Sequence, residues 1–486
     1  MVSDSPHDAN ATDVQPLEFA DMQGLLVSAF AHLPCVAYMM LRVTDRRAAR
    51  AWLAAHRDLV TPAVRKQEQW SLNVAFTLEG LEALGLPAES LASFPTPMHD
   101  GGMASERRSR ILGDRGPNAP SAWEWGGPGT EPVHILLIVF GEDDGERDAR
   151  VASMLPTAGA GLTEVLTLRA GRQPDSREHF GFADGVGQPV VAGTGRRERQ
   201  LARTLHATEI AAGEFVLGYC NEDGALPISP TIPRAALGAA AHALKAHASG
   251  ELNLGENGTF LVFRQLKQDV SGFWTGVRAE AENLWPGDAT AAERLAAKMV
   301  GRWESGAPLV RYPDADPYGG EPQTVTENNF SYAEQDSAGE KCPLGSHIRR
   351  CNPRDALGPD AAQALESSRR HRLLRRGRSY GDQATDRYAN DGVDRGLHFI
   401  CLNADLERQF EFVQQTWVNN SGFALLSGEV DPIVGAPAGG SCPFSIQGDP
   451  VRVRVHGIQP HVTVKGGAYW FLPGLRAIRA ISAIAD

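Results

Sequence analysis

The chain has 486 residues, too many for one small core, and its 42% hydrophobic and 22% charged residues are those of a folded globular protein of two domains or one large one. With 47 basic against 59 acidic residues the net charge is −12, which excludes nucleic acid as the main partner and leaves small molecules and cations open. No run approaches the ~18 apolar residues of a membrane span.

In chain order, residues 1–20 are predicted to be a polar, disordered leader without a secretory signal. Residues 34–43 read as a buried strand, 46–60 as a helix, 71–78 as a strand and 78–87 as a short helix stopped by Gly85 and Pro87. After a Gly/Pro/Ser-rich excursion at 94–132 come an unbroken apolar strand at 133–140, a helix in "DARVASMLP" and an alternating strand at 162–168. The second half repeats the grammar. Strands are predicted at 214–219, 258–266, 397–403 and 468–474, with a helix at 291–303. Another helix carries Leu406, Phe410, Val413 and Trp417 on one face, and Trp417 reads as core. Two strand-helix-strand sets in a row predict an α+β protein of two units with antiparallel sheets and peripheral helices, 21–212 and 213–486. No residue-level repeat relates them. Six scattered cysteines, none in a C-x-x-C pair, predict reduced thiols, no structural zinc and a cytoplasmic location.

Phosphate-loop, zinc-protease, nucleophile-elbow and EF-hand patterns are absent. Two segments carry chemistry. In "HFGFADGVGQP", 179–189, glycines surround Asp184 and allow close approach of another group, while Phe180 and Phe182 predict a packed loop with a partly dry carboxylate. The plain alternative is an Asp-Gly turn whose side chain bonds its own backbone. The second segment, 341–381, holds "KCPLGSHIRRCNPRD" and "RRHRLLRRGRSYG". His347 there is an axial metal ligand, a base or a surface residue, and the arginines form a solvated face or an anion site. One chemistry uses all of it. A haem takes an axial imidazole and arginines for its propionates, and work on peroxide adds a proton shuttle and a fixed cation. Asp184, His347 and an arginine of 375–376 supply these groups.

The ordered blocks "GFADG", "GSHIRRCNPRD", "LLRRGRSYG" and "GLHFICLNADLERQFEFVQQTW" resemble the dye-decolourising peroxidases, and the resemblance runs from about Asp21 to the C-terminal "GGAYWFLPGLRAI". It implies two ferredoxin-like halves with one b-type haem held between them, its ligand in the C-terminal half, in the manner of the larger cytoplasmic bacterial members. By position, Asp184 is the distal acid–base residue and His347 the proximal iron ligand. Arg375 is the distal arginine, with Arg376 the alternative if the register shifts by one. Arg349 and Arg376 are expected at the cofactor. Asp431 is expected behind His347, with Glu429 and Glu411 as the other choices, and His371 is the nearest rival ligand. Gly377 stands where many smaller relatives have an asparagine, which removes one distal donor. The implied substrates are hydrogen peroxide and bulky dyes or phenolics, with Mn(II) admissible and homo-oligomerisation open. Tyr380, Tyr388 and Trp417 are candidates for passing electrons outward. A haem carrier or sensor on the same fold, and a non-haem binder of an anion, remain as alternatives.

Overall fold

The computed structural model describes residues 15–64, 69–157, 159–195, 209–321 and 328–485. The first unit runs β1 (Cys35–Val43), α1 (Arg46–His56), β2 (Trp70–Phe76), β3 (Ile135–Gly141), α2 (Asp144–Met154) and β4 (Leu162–Gly171). Its strands lie antiparallel in the order β4-β1-β3-β2. Asp45 and Asp143 cap α1 and α2 by accepting from Ala48 N and Glu146 N. The second unit has β5 (Thr259–Gln268), α3 (Val270–Leu284), α4 (Ala291–Val300), α5 (His347–Cys351), β6 (Leu374–Arg375), β7 (Arg378–Tyr380), β8 (Gly396–Asn403) and β9 (Val462–Leu472). There β6 and β7 both pair with β8, β8 with β5, and β5 with β9, all antiparallel. The two sheets meet through single pairs, Phe76↔Phe471 and Ser379↔Gly171. The expected α+β architecture is therefore observed, as two sheets of like order joined at both edges.

Alternation explains why these strands read as unbroken apolar runs. Tyr38, Met40, Ile138, Phe140, Phe263, Ile400 and Trp470 pack between the sheets. Their neighbours Met39, Leu41, Leu137, Val139, Val262, Cys401 and Tyr469 belong to a second cluster that includes Ala49 and Leu53 of α1 and Ile478 and Ile481 of the last helix. Both faces are covered, so both residue sets must be apolar.

Four sequence expectations differ. Residues 214–219 are not a strand: a 3-10 turn at Ala212–Glu214 leads into further turns, and Gly218 has φ +92°. Phe215, Val216 and Leu217 are buried, so the apolar run reports burial and not extension. The helix after β8 is wound as π-helix, Glu407–Glu411 and Val413–Val418. Helix α3 is absent from the sequence reading, although Val270, Phe273, Trp274, Val277 and Ala281 form its buried face. Residues 1–14 of the expected leader lie outside the described residues, while Leu17 is buried and Glu18 pairs with Lys245 and Arg476, ahead of the expected start at Asp21. Among the described residues no helix is long and apolar enough to cross a membrane.

Candidate active site

A cavity of about 320 Å³ lies on the outward face of the second sheet. Its floor is Leu266 of β5, Leu397 and Phe399 of β8, and Val462 and Val464 of β9; the π-helix adds Phe410, Val413 and Val418. The space between the two sheets is filled by side chains, so the room for a cofactor is this outer cavity, which is walled by residues of both halves. The first unit reaches this cavity through the loop that bears Asp184 and through Leu112, Gly113, Asp114 and Asn118.

His347 opens α5, directly after the Pro343–Gly345 turn, and lines the cavity. Its Nδ1 lies 2.9 Å from Asp431 Oδ2. Asp431 is completely buried, and its Oδ1 accepts from Ile433 N and Val434 N at 2.8 and 2.9 Å. Burial alone would raise this carboxyl, but His347 and the Val434 N–H bring it below the ordinary range. The imidazole is thereby oriented with Nε2 left for a ligand, its protein neighbour being Cys351 Sγ at 3.9 Å. His347, Cys351 and Asp431 together have the spacing of a small metal cluster, but Asp431 is already spent on three N–H groups, which leaves the imidazole as the ligating nitrogen. Glu429, an alternative behind His347, accepts instead from Ser445, and Glu411 accepts from Arg108 and Tyr469. His371 stacks on Phe412 at 3.8 Å and does not line the cavity.

Asp184 and Arg375 line the same cavity and are joined by an ion pair of 3.2 Å. Asp184 Oδ1 also accepts from Gly185 N at 2.6 Å, so the Asp-Gly turn and the cavity-facing carboxylate coexist. Its side chain is 49% exposed and lines the cavity that the cofactor would fill. Phe180 and Phe182 are buried, Phe180 stacking on Phe273 at 4.4 Å, and they anchor the loop without enclosing Asp184. At Gly185 (φ +80°) and Gly187 an added Cβ would meet no protein atom within 4 Å, so the room left by their missing side chains belongs to the cavity. Gly377 has a steric reason: its Cβ would fall 2.5 Å from the His398 carbonyl oxygen.

Two expectations on arginines are overturned. Arg349 points away from the cavity into a buried pair with Asp336 at 3.0 Å and donates to the Cys342 and Asp336 carbonyls. Arg376 donates to the carbonyls of Leu25, Leu26 and Arg375 and is structural. Adjacent strand residues point to opposite faces, and Arg375, not Arg376, has the cavity side. The arginines that do line the cavity include Arg302, Arg354 and Arg372. Burial, with Arg354 and Arg375 nearby, pushes Arg372 down to about 9. Burial, with Arg354 again contributing, pushes Arg302 down to about 10. Guanidiniums that weaken one another at one edge of an apolar cavity call for an anion. The sequence signal for Arg354 and Arg372 was present, since both lie in the quoted blocks, but only the fold shows which arginines turn inward. A haem fits this lining: an imidazole for its iron, apolar walls for its ring and guanidiniums for its propionates. Tyr380, Tyr388 and Trp417 do not line the cavity.

Two carboxylates on the wall were missed, Asp114, which pairs with Arg264, and Glu178. Glu178 accepts from Phe180 N, Phe182 N and Gln268 Nε2, and burial, helped by the Asp184 charge, pushes its carboxyl up to about 7.

No family model matches the chain. It is similar to the multifunctional dye peroxidase DyP2 of Amycolatopsis, with 30% identity over 84% of this chain and 82% of that protein. It is also similar to a dye-decolorizing peroxidase of Mycena epipterygia, with 29% identity over 85% of this chain and 76% of that one. Among solved structures, a fungal DyP-type peroxidase from Auricularia auricula-judae superposes with a TM-score of 0.74 at 25% identity, covering 96% of this chain and 100% of that one. A DyP-type peroxidase of Anabaena has the same fold, with a TM-score of 0.74 at 22% identity over 95% of this chain and 94% of that one.

Proposed function

This chain belongs to the dye-decolorizing peroxidase family, and we propose that it is a haem peroxidase that reduces hydrogen peroxide and oxidises bulky dyes and phenolics in one-electron steps. The observation that carries the proposal is a single cavity lined both by an imidazole oriented on a buried carboxylate and by a carboxylate–guanidinium pair. One haem b per chain is the cofactor we assign, with His347 Nε2 toward its iron and Arg302, Arg354 and Arg372 toward its propionates. When bound, the haem supplies the iron at which peroxide is reduced and a ring that passes on single electrons.

The protein's part is proton movement and charge. Asp184 would take the proton from one peroxide oxygen and deliver it to the other, which could then leave as water when the bound haem supplies the two electrons that cleavage of the O–O bond requires. Arg375, held 3.2 Å from Asp184, stabilises the negative charge that gathers on the leaving oxygen. Asp431 keeps the His347 ring in one orientation and increases its donor strength. The apolar floor keeps water from competing for the ring. We place the boundary between the halves near residue 213, since β4 completes the first sheet and β5 opens the second. We assign the cytoplasm on the six unpaired thiols.

The test is the absorption spectrum of the purified protein and its bleaching of an anthraquinone dye. A Soret band with peroxide-dependent bleaching is expected. A Soret band without bleaching would make the protein a carrier or sensor, and no Soret band would overturn the haem reading.

A further inference from the structure

Glu178 is a partly buried carboxylate on the cavity wall that no step above uses. Among the described residues it has no ion-pair partner, so its charge is met by N–H groups alone. Oε1 accepts from Phe182 N at 2.9 Å; Oε2 accepts from Phe180 N at 2.9 Å and from Gln268 Nε2 at 2.6 Å. Its backbone closes the same turn, with Glu178 N donating to Phe182 O at 3.0 Å and Gly181 N to Glu178 O at 2.9 Å. Gly181 sits at φ +101°, a conformation that glycine tolerates. From there the chain runs straight to the proton-transfer residue. Ala183 N donates to Glu304 O at 3.0 Å and Asp184 N to Ser176 O at 3.1 Å. Every backbone N–H from Phe180 to Gly185 therefore has an acceptor, and Glu178 provides those of Phe180, Gly181 and Phe182.

An uncharged isostere could not do this. A glutamine has one acceptor oxygen, and its NH2 would be set against a backbone N–H. A carboxylate withdrawn from water at a cavity wall with no cation beside it is costly unless its oxygens are hydrogen-bonded, and here both are spent on one turn. On the peroxidase reading above, we propose that Glu178 is a positioning residue, whose two oxygens template the Glu178–Phe182 turn and so set where Asp184 stands relative to Arg375 and to bound peroxide.

The test compares the haem-loaded wild type with E178Q above pH 7, where the Glu178 carboxyl, raised to about 7, is ionised and both its oxygens accept. Haem load and the KM for dye are expected to stay within about twofold, while kcat/KM for peroxide falls about ten- to a hundredfold, the cost of displacing a reacting group by an ångström or less. Amide hydrogen exchange is expected to quicken by about fivefold at whichever of Phe180 and Phe182 the glutamine NH2 faces, since that amide loses its acceptor. A merely structural residue would lower haem load and thermal stability and leave the peroxide and dye constants in proportion. E178Q that reacts with peroxide at the wild-type rate, or leaves those two amides protected, overturns the proposal. Should E178Q not fold, Q268L, which withdraws one donor and leaves the turn its acceptors, is expected to lose about three- to tenfold; a wild-type rate there overturns it equally. A wild type that takes up no haem contradicts the functional reading, and the amide exchange then decides this one.

Discussion

Two aspartates serve the cavity and are held in opposite ways. Asp431 has no exposed surface, and both its oxygens are taken by His347 Nδ1, Ile433 N and Val434 N. Asp184 is half exposed and stands on a glycine-rich loop from the other unit, and among the described residues its carboxylate binds only Gly185 N and Arg375. The difference follows from the work each does. A group that orients a ligand must not move or exchange its proton, so every lone pair is engaged in a dry site. A group that shuttles protons needs a free oxygen and a path to water, so it is fixed through its backbone instead. The first wall is rigid by its side chains, the second by its main chain.

The largest expected effect breaks the rigid wall. His347→Ala should abolish the Soret band, because the imidazole nitrogen aimed at the cavity is lost, while His371→Ala should keep it, since that ring is stacked on Phe412. On the exposed wall, Arg375→Leu should slow the reaction with peroxide by about a hundredfold, the share of one preorganised charge. Arg376→Leu should leave that rate alone and lower stability by about 1–3 kcal/mol, because buried carbonyls lose their donor. Stopped-flow traces and thermal melts separate the two, and the reverse ranking would shift the register by one. Asp431→Asn keeps shape and removes charge; haem affinity, read by competition with apomyoglobin, should drop about ten- to a hundredfold.

The smallest effect concerns pH. Glu178 has its carboxyl raised from 4.5 to about 7, so the folded protein holds this proton more tightly than the unfolded chain. Its contribution to stability is complete below 4.5 and is lost as pH rises through about 7. Urea midpoints between these limits should therefore decline with pH more steeply in wild type than in E178Q. Parallel slopes would mean that Glu178 is not raised.

Periodicity made the two-sheet plan legible, because strands covered on both faces and amphipathic helices leave opposite marks on a sequence. It misled where apolar residues are buried without being extended, as at Phe215–Leu217, and it passed over α3, where Gly272 and Gly276 interrupt an otherwise helical face. The site divided in the same way. Asp184, His347 and Arg375 stand in local patterns, and the structure brings all three to one cavity. Asp431 was chosen from several carboxylates, and only the fold sets its oxygen 2.9 Å from the imidazole. Arg349 and Arg376 were misassigned because a run of arginines does not tell which members turn inward; that depends on strand pleat and on carbonyls contributed from elsewhere, such as those of Leu25 and Leu26. Glu178 has no motif of its own, since its role arises from three donors that fold around it.

The central claim, that an exposed carboxylate moves the proton while a buried one fixes the ligand, is tested most directly by Asp184→Asn in single-turnover reaction with peroxide. The variant should carry the wild-type amount of haem, with an unchanged Soret band, and react about a hundred- to ten-thousandfold more slowly, the range that general acid–base catalysis supplies. A variant with full haem that reacts at the wild-type rate would contradict the account, leaving Arg375 to carry the step and Asp184 as a residue of the turn.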